Sequence, residues 1–153
     1  MPLSVEDHVA NLRFRDNRVV FNESAGWLDR HRDESLPVMA QHLAKGGPPA
    51  IGIARVLGQL DDPRAVEPLA KALAGPDHLA YEAARALART SGSQAADALR
   101  TAAVSADPGI AANALRGILL REDPDLCDAA RRRTESPDPV GYHARKAVEG
   151  LGC

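Results

Sequence analysis

The chain has 153 residues, 44% of them hydrophobic but only 3% aromatic, and a formal net charge of −2. That length suits one domain with a real core, while the near-neutral, slightly acidic balance supplies no global field for nucleic acid or an anionic membrane. With no basic-then-apolar leader and no apolar run of about 18 residues, a cytoplasmic protein without a membrane span is expected.

Ala, Leu and Val must do most of the packing, and Ala lets helices approach closely while favouring helix over sheet. Ser4 followed by Asp7 has the form of a capping box, and Val5, Val9 and Leu12 recur at helical spacing, predicting a short helix over residues 4–13. A charged bend, Arg13 to Arg18, precedes a second helix with a weak apolar face through Val20, Ser24 and Trp27 or Leu28. Trp27 is expected in the core. The polar stretch Asp29 to Ser35 reads as a loop, and Leu36, Met39, Ala40 and Leu43 then restore a helical period. Lys45-Gly46-Gly47-Pro48-Pro49 ends that helix, since Gly supplies a left-handed cap and Pro cannot continue the ladder.

From Ala50 onward the chain repeats itself about every 30 residues, and such a period decides the architecture before any other feature. First helices align as Ala50–Leu57, Ala80–Leu87, Ala111–Ile118 and Gly141–Val148. Their core column is Ile53, Ala83, Ala114 and Ala144, followed four residues later by Leu57, Leu87, Ile118 and Val148. A basic residue holds one slot throughout (Arg55, Arg85, Arg116 and Lys146), which suggests pairing between repeats. Second helices align through Met39, Leu69, Leu99 and Ala130. The predicted fold is an all-α, right-handed α-solenoid of short helical hairpins. Residues 1–35 are expected to form an N-terminal helical cap that fits the repeat poorly, and 36–153 the repeats, the last one truncated.

The stretch LGQLDDPRAVEPLAKAL, with its Asp61-Asp62-Pro63 turn, Arg64-Ala65-Val66 and the Leu69 and Leu73 anchors, resembles a HEAT repeat of the short, phycobilisome-lyase-like (E-Z) type. The second turn, Thr90-Ser91-Gly92-Ser93, and the third, Arg121-Glu122-Asp123-Pro124, depart from that pattern. These motifs are structural positions and carry no catalytic residue across.

Repeats of this kind bind partners along the face of their second helices. There the non-core residues are Gln41, His42, Glu67, Lys71, Asp97, Thr101, Asp128 and Arg132, the candidate partner-binding surface. On a solvated helix the same residues would form i,i+4 pairs, Glu67 with Lys71 and Asp128 with Arg132, each contributing about 0.2–0.5 kcal/mol. Arg131-Arg132-Arg133 is the one basic run, too short for strong phosphate binding. Asp29, His31, Asp33 and Glu34 could ligate a metal, but a polar loop is the simpler reading, and neither a metal nor a cofactor is called for. Cys127 and Cys153 make no disulfide framework and are expected as free thiols, Cys127 as a small packing residue.

The reading that follows is a non-catalytic scaffold that binds a protein partner. The alternative that the resemblance implies is a chromophore-handling accessory similar to the phycobilin lyases; nucleic acid is not an expected partner. Val140, Ala144, Val148 and Leu151 form an apolar stripe on the last helix, through which a homodimer could pair.

Overall fold

The computed structural model describes residues 2–153, and within them the chain folds as ten α-helices without a strand. Two N-terminal helices, α1 (Val5–Asn11) and α2 (Arg18–Arg30), lead into hairpin partners that alternate along the stack. First helices are α4 (Ala50–Leu60), α6 (Asp77–Arg89), α8 (Pro108–Arg121) and α10 (Val140–Leu151). Second helices are α3 (Arg32–Lys45), α5 (Val66–Ala72), α7 (Ser93–Ala103) and α9 (Cys127–Arg131). None of these helices is long and apolar enough to cross a membrane.

The capping box forms: Ser4 Oγ accepts the Asp7 N–H at 3.1 Å, and the Asp7 carboxylate accepts the Ser4 N–H at 3.0 Å. Where a loop was expected at residues 29–35, α2 and α3 are separated only by His31. Asp33 and Glu34 lie in the first turn of α3, where acidic groups favour the N-terminal end of the helix dipole. Arg32 reaches both Asp29 and Asp62. Polarity alone misread this segment, because its charges pair with neighbours while the backbone stays helical.

The core is a continuous seam of Leu, Ile, Val and Ala. First helices stack closely because small residues face each other. A methyl on Gly58 would meet the Ala86 Cβ at 2.8 Å, and one on Gly117 would meet the Ala84 carbonyl at 3.0 Å.

The turns between hairpin partners carry the polar architecture. Asp61 and Glu122 adopt left-handed backbone conformations, φ 51° and 59°, and each is followed by Asp-Pro and a 3₁₀ turn. The third turn therefore keeps the geometry of the first despite its different sequence. Asp62 is buried; it accepts from the Arg64 backbone at 2.9 Å and pairs with its guanidinium at 2.9 Å. These bonds hold its carboxyl at a pKa of about 2. The second turn lacks an Asp-Pro, and its neighbours hold it instead. Asp61 accepts from the Ser91 N–H and hydroxyl, while Arg121 donates to the carbonyls of Leu87, Thr90 and Gly92.

Three readings are corrected by the packing. Cys127 and Cys153 are not free thiols: they form a disulfide, with 5.9 Å between their Cα atoms. The left-handed Gly152 turns the chain back so that Cys153 meets the start of α9. Trp27 is half-buried, stacked between His8 (4.4 Å) and His31 (3.9 Å), while Leu28 takes the core position. Asp128 pairs with Arg131 at 3.3 Å instead of Arg132, because α9 ends at Arg131 and leaves Arg132 as its cap.

Candidate functional site

The residues of the second-helix surface fall on α3, α5, α7 and α9, with Arg132 at the C-terminal cap of α9. Gln41, Glu67, Lys71, Asp97, Thr101, Asp128 and Arg132 are exposed. Glu67 and Lys71 form the i,i+4 pair at 3.2 Å, and Asp97 pairs with Arg100. His42 is half-buried, its Nε2 2.5 Å from Glu6 Oε2, and so joins α3 to α1. The basic run disperses. Arg133 donates to the Ala103 and Ser105 carbonyls at the end of α7, and Arg131 to the Cys153 carbonyl. The acidic cluster disperses too: Asp29 goes to Arg32, Asp33 to Arg64, and His31 Nδ1 to the Trp27 carbonyl.

A second surface forms on the first helices, around the repeated basic slot. In the register of the repeat, the residue two places after Ala50, Ala80, Ala111 and Gly141 is Gly52, Glu82, Asn113 and His143 in turn. Glu82 is the one acid among them. It takes Arg55 of the preceding helix at 3.2 Å and Arg85 of its own at 3.4 Å, so the inter-repeat pairing holds there. In the next repeat Asn113 turns back to the Gly109 carbonyl at 3.1 Å, and in the last the slot holds His143. Arg116 and Lys146 consequently form no ion pair among the described residues.

What Arg116 does instead defines the site. Its guanidinium carbon lies 3.8 Å over the centre of the Tyr81 ring, a cation–π geometry. Lys146 Nζ is 5.7 Å from the Tyr142 ring, and the His143 ring meets Tyr142 edge-on at 5.1 Å. Tyr81, Arg116, Leu119, Leu120, Tyr142, His143 and Lys146 line one cleft of ≈ 280 Å³. A second cleft of ≈ 290 Å³, lined by Arg15, Ile51, His78, Tyr81 and Glu82, shares the Tyr81 wall. Leu120 and Tyr142 are each 48% exposed, an apolar and aromatic rim beside two unneutralised cations. Burial, and then the Arg116 charge, hold the His143 imidazole below the ordinary histidine range. His143 is therefore mostly neutral at neutral pH and leaves the two cations to dominate. Such a surface suits a flat, conjugated ligand that carries carboxylates.

Two larger clefts have less to offer chemically. One of ≈ 520 Å³ between α1 and α2 contains Trp27, but its buried polar groups satisfy each other, Ser24 Oγ with His8 at 2.9 Å and with Asn11 at 3.2 Å. The other, ≈ 470 Å³, sits at the ends of α3 and α5 with an apolar lining and Lys45 and Lys71 among its residues. The sequence pattern suggested only a structural role for the basic column, pairing between repeats. The missed signal is that Tyr81 and Tyr142 share one slot, four residues before Arg85 and Lys146.

This architecture defines an all-helical protein of stacked repeat hairpins. One repeat is recognisable by sequence: residues 50–75 match the family model of the PBS lyase HEAT-like repeat. Among solved structures it resembles a chain of the complex of CpcE and CpcF of phycocyanin lyase from Nostoc sp. PCC7120. That likeness has a TM-score of 0.56 at 22% sequence identity and covers 99% of this chain but 66% of the other. No curated protein matches it in sequence. The expectation of a non-enzyme is corrected by these findings, which point towards a lyase: the matching model is that of a PBS lyase HEAT-like repeat, and the similar structure is a complex of phycocyanin lyase.

Proposed function

We propose that the protein handles an open-chain tetrapyrrole as a component of a lyase, bound along the first-helix trough on either side of Tyr81. The observation that carries this reading is the pair of unneutralised cations, Arg116 and Lys146, set against Tyr81 and Tyr142 in one cleft. A bilin is conjugated and flat and bears two propionates. Its pyrrole rings would lie against the tyrosines, and its carboxylates would be drawn to Arg116 and Lys146. The similar solved structure is a complex of two proteins, and we assign a protein partner here as well, on the second-helix surface that includes Lys71 and Arg132.

The test is absorbance titration of the purified protein with a bilin. Wild type shifts and sharpens the bilin spectrum, while Arg116→Glu with Lys146→Glu loses roughly tenfold or more in affinity, as expected for removing charge-assisted contacts. No spectral change with wild type, or equal affinity in the variant, refutes the reading.

A further inference from the structure

The cleft is built from α6, α8 and α10, and α10 is held differently along its length. Its N-terminal half is locked: Val140 and Ala144 are buried, and Arg145 bonds the Thr134 carbonyl at 2.9 Å and Asp138 at 3.0 Å. Its last turn has little of this. Val148 and Leu151 are half-buried, and the closing hydrogen bonds, Gly152 to Glu149 and Cys153 to Val148, are internal to the helix. Besides apolar packing of Val148 and Leu151 on the core and of Gly150 beside Leu119, the turn is tied to α9 by the Cys127–Cys153 bond and by one exposed hydrogen bond from Arg131 to the Cys153 carbonyl at 3.1 Å. Both cysteines are partly exposed, so a reductant can reach them. Along the apolar stripe on α10, Val140 and Ala144 are buried in the core and Val148 and Leu151 pack half-buried against it.

We propose that the Cys127–Cys153 disulfide is a reducible latch on the cleft, fixing the end of α10 to α9 and thereby holding Lys146 in register with Tyr142 and Arg116. The reductant is a dithiol. One of its thiolates attacks a cysteine sulfur, and its second thiol displaces the mixed disulfide. The S–S bond breaks, two S–H groups form with two electrons and two protons from the dithiol, and the dithiol leaves as its own disulfide. Release frees the last turn of α10 to fray, and the Lys146 cation one turn upstream loses its fixed position. The consequence for ligand rests on the tetrapyrrole reading; the release of α10 does not.

Hydrogen exchange measures the latch directly, with dithiothreitol as the reductant. These two are the only cysteines in the chain, so a response to dithiothreitol reports this bond alone. On reduction, amides of residues 148–153 should exchange at least about tenfold faster, while those of α4 and α6 stay unchanged. Cys127→Ser with Cys153→Ser should show the fast pattern with or without reductant. The proposal is overturned if exchange is the same before and after reduction, if the double variant keeps the slow pattern, or if the untreated protein titrates as two free thiols. Bilin affinity should fall severalfold on reduction; equal affinity in both states breaks the link to the cleft. If α10 responds but no bilin binds in either state, the tetrapyrrole reading fails and the latch stands.

Discussion

Replacing Asp62 by Asn tests whether the repeat turn is held by an ionised carboxylate. The folded carboxyl sits at a pKa of about 2 against an ordinary 3.8, held there first by the Arg64 guanidinium. A shift of that size corresponds to about 2 kcal/mol of stability. Arg64 is half exposed, and solvent screening reduces the figure to about 1–2 kcal/mol. The amide oxygen of Asn can still accept the Arg64 N–H as a cap, so the substitution isolates the charge. Because the folded pKa is depressed, the contribution is complete above the unfolded value and is lost as pH falls through the folded one. Near pH 3 roughly half of it is gone. Urea melts followed by circular dichroism should therefore show the Asp62→Asn variant less stable than wild type by about 1–2 kcal/mol near pH 7 and by about half as much near pH 3. A gap that is constant, or that widens in acid, would refute the ionic account of the turn.

Two glycines in helices should respond with opposite signs. Gly58→Ala places a methyl 2.8 Å from the Ala86 Cβ and 2.9 Å from its Cα, and overpacking against backbone should outweigh the helix-propensity gain, lowering stability by about 1–2 kcal/mol. Gly26→Ala meets only the flexible end of Arg30, at 3.2 Å, and should raise stability by about 0.5–1 kcal/mol; thermal melts of both variants decide it. On the second helices, Lys71→Glu with Arg132→Glu should abolish retention of a protein partner in affinity capture while leaving the helical circular dichroism unchanged. Undiminished capture of the same partner places the interface elsewhere.

The stack was readable because its signals are local and repeated: the Asp61-Asp62-Pro63 turn, the Ile53 and Leu57 columns, and the Gly-Pro break at residues 46–49. What escaped reading depends on contacts between distant residues. Arg32 to Asp62 and Arg64 to Asp33 join segments about 30 residues apart, so the charges that looked like a loop are the lateral ties of a helix. The disulfide needs the chain to turn back at Gly152, and two cysteines 26 residues apart announce no such approach. The cleft needed the slot occupied by Glu82 to be compared across repeats. A basic column looks structural until one asks where each member finds its acid.

That comparison yields a reciprocal test of the cleft. Arg55 is neutralised because the next first helix offers Glu82; by the same register Arg116 faces His143 and instead lies over Tyr81. His143→Glu should restore the missing acid, draw Arg116 off the ring into an inter-repeat pair, and leave Lys146 beside a carboxylate as well. An exposed or half-buried pair of this kind contributes about 0.2–1 kcal/mol, so stability should hold or rise slightly. Bilin affinity should drop by about tenfold or more, because the cations are now satisfied and a negative charge meets the propionates. A neutral His143→Gln should keep most of the affinity, which separates the charge from the shape of the side chain. Should His143→Glu bind as well as wild type, the absence of an acid in the third and fourth repeats has nothing to do with ligand, and the cleft loses the feature on which its assignment rests.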